Sequence, residues 1–488
     1  KQIIKSFIYS ARWEIGSRRI KIITMRSVLF FMIVAVVAIH FNSCSPKAAT
    51  QSAKVPSRPN IIFIMADDLD SRQLSCYGGQ NLKTVNIDRL ADQGMKFNNM
   101  VTSEAMCVPL RASLFTGLYP MRHGSYQNHK PVYSANIKGV PQYLTDLGYT
   151  VALTGKDHST KTFPFQIVKG FEVNCVANTD EYELNDIRKF ITAQKNPYCL
   201  FVMSINPHAP WTVGDPSEFD ADKLVLPPHW VDTKPTREQF TKYLAEVRRL
   251  DNQVGELMGL VKEIGQKDNT MFVFLGEQGP QFPGGKWTLW DNGQLSSMIV
   301  KWPGIVKGGS QTEAIVQYED IVPMLVDLAG GKSIPGLDGK SFLPVLEGKS
   351  DRARDYAYGI HNNIPEGPAY PIRAIRSERY KLLMNLLPEK KYAIKFMTNR
   401  KNVKYWDSWN MKAETDAVAR WKVDRITTRP AVEFYDLKND PYELHNLAND
   451  KNYAKLVNEY KTKLFAWMKQ QGDPGATADV PLKKDSGK

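Results

Sequence analysis

Continuous apolar runs alternate along the chain with stretches whose apolar residues recur every three or four positions. Ile61-Ile62-Phe63-Ile64-Met65-Ala66 is a run of the first kind, ending in polar residues, the pattern of a central strand covered on both faces. Comparable runs predict strands at 149–153, 199–205, 271–275 and 297–302. The second kind predicts helices at 86–93, stopped by Gly94, and near 140–147, 182–194, 237–264 and 318–328. Strands alternating with helices predict an α/β body with a mostly parallel sheet sandwiched by helices.

From about residue 356 the texture changes to short strands, at 379–384 and 433–437, among Tyr, Trp and basic residues. One last helix carries Leu456, Val457, Tyr460, Leu464, Trp467 and Met468 at helical spacing. The predicted organisation is a leader (1–44), a small, polar, Pro-bearing tether (45–57), a main domain (58–350), a smaller C-terminal α+β domain (351–475) and a polar tail (476–488).

With 488 residues, 42% of them hydrophobic, the chain has material for a large core, which excludes disorder and disulfide-stapled miniproteins. The formal charge of +13 invites a polyanionic partner. The first 44 residues, however, hold seven Lys or Arg against Glu14 alone, so +6 sits in the leader and +7 in the body. Within that leader, Met25-Arg26 precedes an apolar run at 28–39, a charged n-region feeding a short h-region. The run is too short for a comfortable membrane span of roughly 20 residues. Asn42-Ser43-Cys44 after it reads as a loose bacterial lipobox with Cys44 acylated, against an ordinary signal peptide or anchor with a bystander cysteine. The first residue is Lys, and the expectation is that translation starts at Met25. The localisation predicted is export, as a periplasmic or surface lipoprotein of a bacterium.

In open α/β sheets ligands bind beyond the carboxyl ends of the strands, and chemically loaded residues follow the apolar runs here. Asp67-Asp68 follows the first run; adjacent carboxylates need neutralising, and oxygen-only ligation suits Ca²⁺ or Mg²⁺. Cys107-Val108-Pro109-Leu110-Arg111 opens a helix that ends at Gly117, placing Cys107 at a helix N-terminus with Arg111 one turn away. Lys156 and His158 follow the 149–153 run and share a side if the chain stays extended there. His208, between Pro207 and Pro210, follows the 199–205 run. Glu277 and Gln278 follow the 271–275 run, with Lys286 a short loop later. Each motif alone reads as readily as a turn or a structural residue. Together they describe a metal-assisted site for a tetrahedral oxyanion.

The motif set resembles the sulfatase family. The resemblance rests on Arg58-Pro59-Asn60 leading into Asp67-Asp68, C-x-P-x-R at 107–111 with 113–117 after it, Gly155-Lys156-x-His158, Pro207-His208-x-Pro210, and Lys286 ahead of Val300-x-Trp302-Pro303-Gly304. Within the family the chain is most similar to heparan N-sulfatases, through Gln281-Phe282-Pro283, Tyr370-Pro371-Ile372-Arg373, Arg379-Tyr380-Lys381-Leu382 and the 433–450 segment. The resemblance implies a doubly wound, alkaline-phosphatase-like fold with a mixed, mostly parallel sheet. It implies a formylglycine (3-oxoalanine) made from Cys107 by a maturation enzyme, whose hydrate attacks sulfur. In that scheme Asp67, Asp68, Glu277 and Gln278 bind Ca²⁺ together with residue 107, and Arg111 steadies the formylglycine. Lys156, His208 and Lys286 hold sulfate oxygens, His158 deprotonates the second hydroxyl so that sulfate leaves, and His208 or Lys286 protonates the leaving group. The implied substrate is a sulfated glycan, foremost N-sulfoglucosamine of heparin or heparan sulfate.

One departure is that Glu277-Gln278 stands where the family has Asp followed by Asn or His, each a methylene longer. Leu275-Gly276 also replaces Thr-Ser. Three residues, Cys76, Cys175 and Cys199, stay outside these roles, as free thiols or with one 175–199 bridge. His361, Glu366, Tyr370 and Arg373 lie in a Gly/Pro-rich stretch that either reads the sugar or packs as an ordinary loop. Competing readings are an O-sulfatase on another polysaccharide, a phosphate or phosphonate monoester hydrolase on the same scaffold, and a non-catalytic glycan-binding lipoprotein. No nucleic-acid partner is expected, and membrane contact only through the lipid anchor.

Overall fold

The computed structural model describes residues 58–129, 131–158, 162–171, 182–398 and 404–481. The leader, the tether, Cys44 and Cys175 lie outside the described residues.

Eight strands form the main sheet: β1 (Asn60–Met65), β2 (Met95–Val101), β3 (Thr150–Lys156), β4 (Gln166–Phe171), β5 (Tyr198–Met203), β6 (Thr270–Leu275), β7 (Leu295–Lys301) and β8 (Ser310–Gln317). Their order is β4-β3-β5-β1-β6-β7-β2-β8. Every pair is parallel except those of β7, which runs against β6 and β2. The sheet is thus mixed and mostly parallel, as the alternation of runs implies.

Its two faces follow from the period-two alternation of each strand. On one face Ile62, Ile64, Leu200, Val202, Phe272 and Phe274 pack under helices α1 (Val85–Asp92), α4 (Leu184–Ala193) and α5 (Lys234–Glu263). On the other, Ile61, Phe63, Met65, Phe201, Val273 and Leu275 meet α2 (Cys107–Thr116), α3 (Val140–Asp146) and α6 (Ile321–Leu328). Phe63 stacks on Phe201 across the strand pair at 4.7 Å between centroids, and truncating such a buried ring costs about 3–5 kcal/mol. All six residues of β1 are buried, which is why its run is unbroken.

A second sheet is antiparallel, in the order β12-β11-β10-β9, from β9 (Ala357–His361), β10 (Ile372–Arg376), β11 (Tyr380–Asn385) and β12 (Val432–Asp436). Helices α7 (Lys404–Ala413) and α8 (Ala417–Thr427) precede β12, and α9 (Ala454–Gln470) closes the element order's last long segment. Val457, Tyr460, Leu464, Trp467 and Met468 bury one stripe of α9 against Ile360, Ile375, Leu382 and Phe434 of the sheet. Within residues 476–481, assigned by sequence to a polar tail, Ala478 and Asp479 are buried, and Asp479 accepts from the backbone N–H groups of Asn363, Ile364 and Tyr370. Cys199 is a buried free thiol within β5.

Candidate functional site

β3, β5, β1 and β6 are consecutive parallel strands of the sheet, so the residues that follow their ends converge. Ala66 N–H continues the β6 pairing through Leu275 O, and Asp67 N–H donates to Asn206 O, tying the β1 and β5 ends together. Asp67 and Asp68 are fully buried, and Asp68 adopts a left-handed φ of 61°. At the end of β3, Gly155 has φ 87°, and a Cβ there would lie 2.0 Å from Met203 O. Only glycine permits that close approach, and the kink it allows turns the fully buried Lys156 toward Asp67, to which its ammonium donates. The chain does not stay extended beyond it: His158 has φ 51°. Alternation therefore does not place His158; the turn does.

Cys107 begins α2 and is buried. The Gly117 N–H caps the other end on Ser113 O with φ 71°, a left-handed cap that glycine adopts freely. Cys107 Sγ lies 3.5 Å from Asp67 Oδ1, 3.9 Å from Asp68 Oδ1, 3.1 Å from Lys286 Nζ and 3.3 Å from Gln278 Nε2. Lys286 also donates to Asp68 at 2.8 Å and stands 3.3 Å from His208 Nε2. Arg111 Nε donates to Glu277 Oε1 at 2.8 Å and Nη1 to Lys156 O at 3.0 Å. The catalytic and metal residues expected from sequence, Asp67, Asp68, Cys107, Arg111, Lys156, His208, Glu277, Gln278 and Lys286, thus form one buried constellation.

Its electrostatics are set by burial and crowding. Burial opposes the Asp67 carboxylate, but Lys156 and His208 outweigh it and hold its pKa well below the usual range. Burial and the Asp67 charge push Glu277 up to about 8 against the pull of Arg111. Burial also works against the Lys286 ammonium and the His208 imidazolium, yet Asp68 raises the pKa of both. His158 is pushed the other way, by burial and then by Lys156 and Arg111, and its Nδ1 is buried without a hydrogen-bond partner. Burial and the Glu277 charge push the Cys107 thiol well up, so the unmodified residue stays protonated and is a poor nucleophile.

The donor set fits a hard divalent cation. Three buried carboxylates converge, and Gln278 Oε1 is buried with no hydrogen-bond partner, an oxygen available as a ligand. One ligand atom each from Asp67, Asp68, Cys107 and His208 lie within 4.8 Å of one another. That grouping brings in His208, which the sequence reading gave to sulfate binding and leaving-group protonation but not to the metal, while Glu277 is shared with Arg111.

Above this floor opens a cavity of about 680 Å³, a size suited to a saccharide unit or two. Cys107, His158, His208 and Lys286 line its base, with Trp211, Gln239, Lys242, Gln281, Trp287, Lys395, Phe396 and Tyr405 among its walls. Of the four residues expected to read the sugar, Glu366 lines the cavity, where it accepts from Asn128 Nδ2 at 3.0 Å and meets His129 Nε2 at 3.1 Å. His361, Tyr370 and Arg373 are not among the lining residues. His361 and Arg373 are strand residues, fully buried. His361 Nδ1 is 3.4 Å from Glu104, Arg373 forms a bidentate pair with Asp473, and Tyr370 packs edge-on against Tyr392. Sequence reasoning missed His129, Lys242 and Lys395, which lie on segments that carry no motif.

A family model described as "Sulfatase" matches residues 59–331, and one described as "N-sulphoglucosamine sulphohydrolase, C-terminal" matches 285–402. An "Ulvan-active sulfatase" of Formosa agariphila is 33% identical over 431 residues, covering 87% of this chain and 82% of that protein. The human "N-sulphoglucosamine sulphohydrolase" is 25% identical, covering 86% of this chain and 92% of its own. Among solved structures, BT4656 in complex with its substrate D-glucosamine-2-N,6-O-disulfate superposes with a TM-score of 0.65 at 21% identity, covering 87% of this chain and all of that one. A phosphonate monoester hydrolase of Agrobacterium radiobacter superposes with a TM-score of 0.64 at 21% identity, covering 85% and 96%; both likenesses speak to the fold.

Proposed function

The chain belongs to the sulfatase family and is a hydrolase, and from that premise we propose that it removes sulfate from sulfated glycans, with N-sulfoglucosamine at a chain end as the leading substrate. The observation that carries the reading is the convergence on Cys107: the Lys286 ammonium lies 3.1 Å from Sγ and 3.3 Å from His208, at the base of a cavity that His158 also lines.

A divalent cation, Ca²⁺ in our reading, held by Asp67, Asp68, Glu277 and Gln278 with residue 107 would supply positive charge to sulfate oxygens, and a formylglycine made from Cys107 would supply a hydrated aldehyde as nucleophile. The chain's own groups do the rest. Lys156 and Lys286 are buried cations at the floor, positioned to hold an anionic sulfo group without reorganisation. His158, kept neutral, accepts a proton at its unpartnered Nδ1; His208, kept cationic beside Asp68, donates one toward the departing amine or hydroxyl. Arg111, fixed on Glu277 and Lys156 O, holds residue 107 at the mouth of α2. Aromatic Trp211 and Trp287 and the cations Lys242 and Lys395 in the wall suit an anionic sugar.

The match of the C-terminal family model supports N-sulfate cleavage. A second reading, an O-sulfatase on another polysaccharide, is favoured by the higher identity to the ulvan-active relative. Export as a lipoprotein through Cys44 is part of the proposal; among the described residues no helix is long and apolar enough to cross a membrane. Sulfate release from saccharides carrying a single N-, 2-O-, 3-O- or 6-O-sulfate separates the readings. Release from the N-sulfated sugar alone is expected. Release only from O-sulfated sugars would replace the first reading with the second.

A further inference from the structure

Another cavity, of about 650 Å³, lies at the far end of the nucleophile helix and shares no lining residue with the reaction cavity. Its wall takes in Tyr119, two residues beyond the Gly117 cap. Because α2 has ten residues, the two cavities are separated by a helix of about 15 Å.

Three residues of this wall each hold a buried polar atom with no hydrogen-bond partner: Trp467 Nε1, Arg354 Nε and Gln471 Oε1. Trp467 and Gln471 are 5% and 6% exposed, and the Arg354 side chain 6%. An unmet buried donor or acceptor costs about 1–3 kcal/mol, and native proteins rarely gather such atoms in one wall without something to meet them. The three ask for a ligand that both accepts and donates hydrogen bonds. Tyr358, half-buried, stacks on Trp467 with centroids 4.8 Å apart and rings 2° from parallel, offering a flat face to the C–H side of a sugar ring. The lining carries four cations, Arg122, Lys340, Arg354 and Lys463, against the carboxylates Asp338 and Asp355; Asp338 pairs with Arg122 at 2.7 Å, Asp355 with Arg352 outside the lining and Arg354 with Asp320, so the wall keeps a net positive charge centred on Lys340 and Lys463. Hydroxyls, a flat apolar face and negative charge together describe an acidic saccharide.

We propose that this cavity docks an anionic stretch of the polymeric substrate, away from the residue being desulfated. The inference rests on the glycan reading above and adds a site to it. The geometry separates anchoring from hydrolysis: a chain held at one end of α2 raises the local concentration of its termini at the other.

The test uses the full chain carrying Cys107→Ala and isothermal titration with size-defined heparin and ulvan octasaccharides. Two binding events are expected with at least one of the two. In the Lys340→Glu/Lys463→Glu background, which alters exposed ammonium groups and leaves the catalytic floor intact, one event should weaken at least about tenfold. Gln471→Glu, which sets a carboxylate inside the wall, should do the same. The melting temperature reports that each variant is folded. A single event with both probes, or unequal events that the three substitutions leave unchanged, would overturn the docking site. Sulfate release by the unmutated chain is measured on the same saccharides. Release with only one binding event removes the docking site and leaves the hydrolase; two events without release removes the hydrolase and leaves the docking site.

Discussion

Glu319 lies under α2, fully buried, with Oε1 accepting from Ser103 Oγ and Oε2 without a partner. Burial outweighs the Ser103 hydrogen bond and pushes its pKa from 4.5 up to about 7. Between those values the folded chain keeps a proton that the unfolded chain has released, so stability falls as pH rises through this window. The 2.5 units between 4.5 and about 7, at 1.36 kcal/mol each, amount to about 3 kcal/mol of stability present in acid and absent above the folded pKa. Glu319→Gln keeps the shape and the acceptor for Ser103 but cannot ionise. The variant should match the parent near pH 4.5 and exceed it by up to about 3 kcal/mol near pH 8.5, read from urea unfolding at both values. An equal difference at the two pH values would refute the burial argument, because a lost contact carries no such pH dependence.

Asp291 is buried and accepts from Lys381 Nζ at 2.8 Å and Arg376 Nε at 3.1 Å; although burial opposes ionisation, these cations hold its pKa far below the carboxylate range. Asp291→Asn should destabilise the fold by about 3–5 kcal/mol above pH 4 in denaturant melts, with the deficit narrowing in stronger acid as the parent's carboxyl protonates. Glu366→Gln, altering a cavity wall but not the floor, should raise KM about tenfold with kcat within about threefold, measured as sulfate release from singly sulfated saccharides. Chelation should abolish turnover and lower the melting temperature, and Ca²⁺ at about a hundredfold over its Kd should restore about 3 kcal/mol of stability.

The sheet was legible because its central strands are buried on both faces, so β1, β5 and β6 read as apolar runs and β3 and β7 each carry an apolar stretch at their centre. β2 was not, because Asn98 and Asn99 interrupt its pattern where the pairing shifts register. β8 hides behind a polar first half, and β10 behind Arg373 and Arg376, whose charges are buried against Asp473 and Asp291. The same burial explains why Arg373 looked like a sugar reader: its partner lies a hundred residues away, and only the fold brings them together. The floor of the site was legible because each strand end delivers its residue in sequence next to an apolar run. Its walls were not, since Gln239 and Lys242 come from α5, Lys395 from a short helical turn after the second sheet's β11 and Tyr405 from α7, whose meeting is a tertiary event.

We propose above all that Cys107 is the source of the nucleophile in a sulfate-releasing hydrolase. Inorganic sulfate released from singly sulfated saccharides by protein matured in a host that makes formylglycine, compared with its Cys107→Ala variant, tests it most directly. Release by the parent is expected, with a loss of at least about a thousandfold in the folded variant. Equal release by both proteins, or none from any sulfated saccharide by a parent whose residue 107 carries the aldehyde mass, would contradict it.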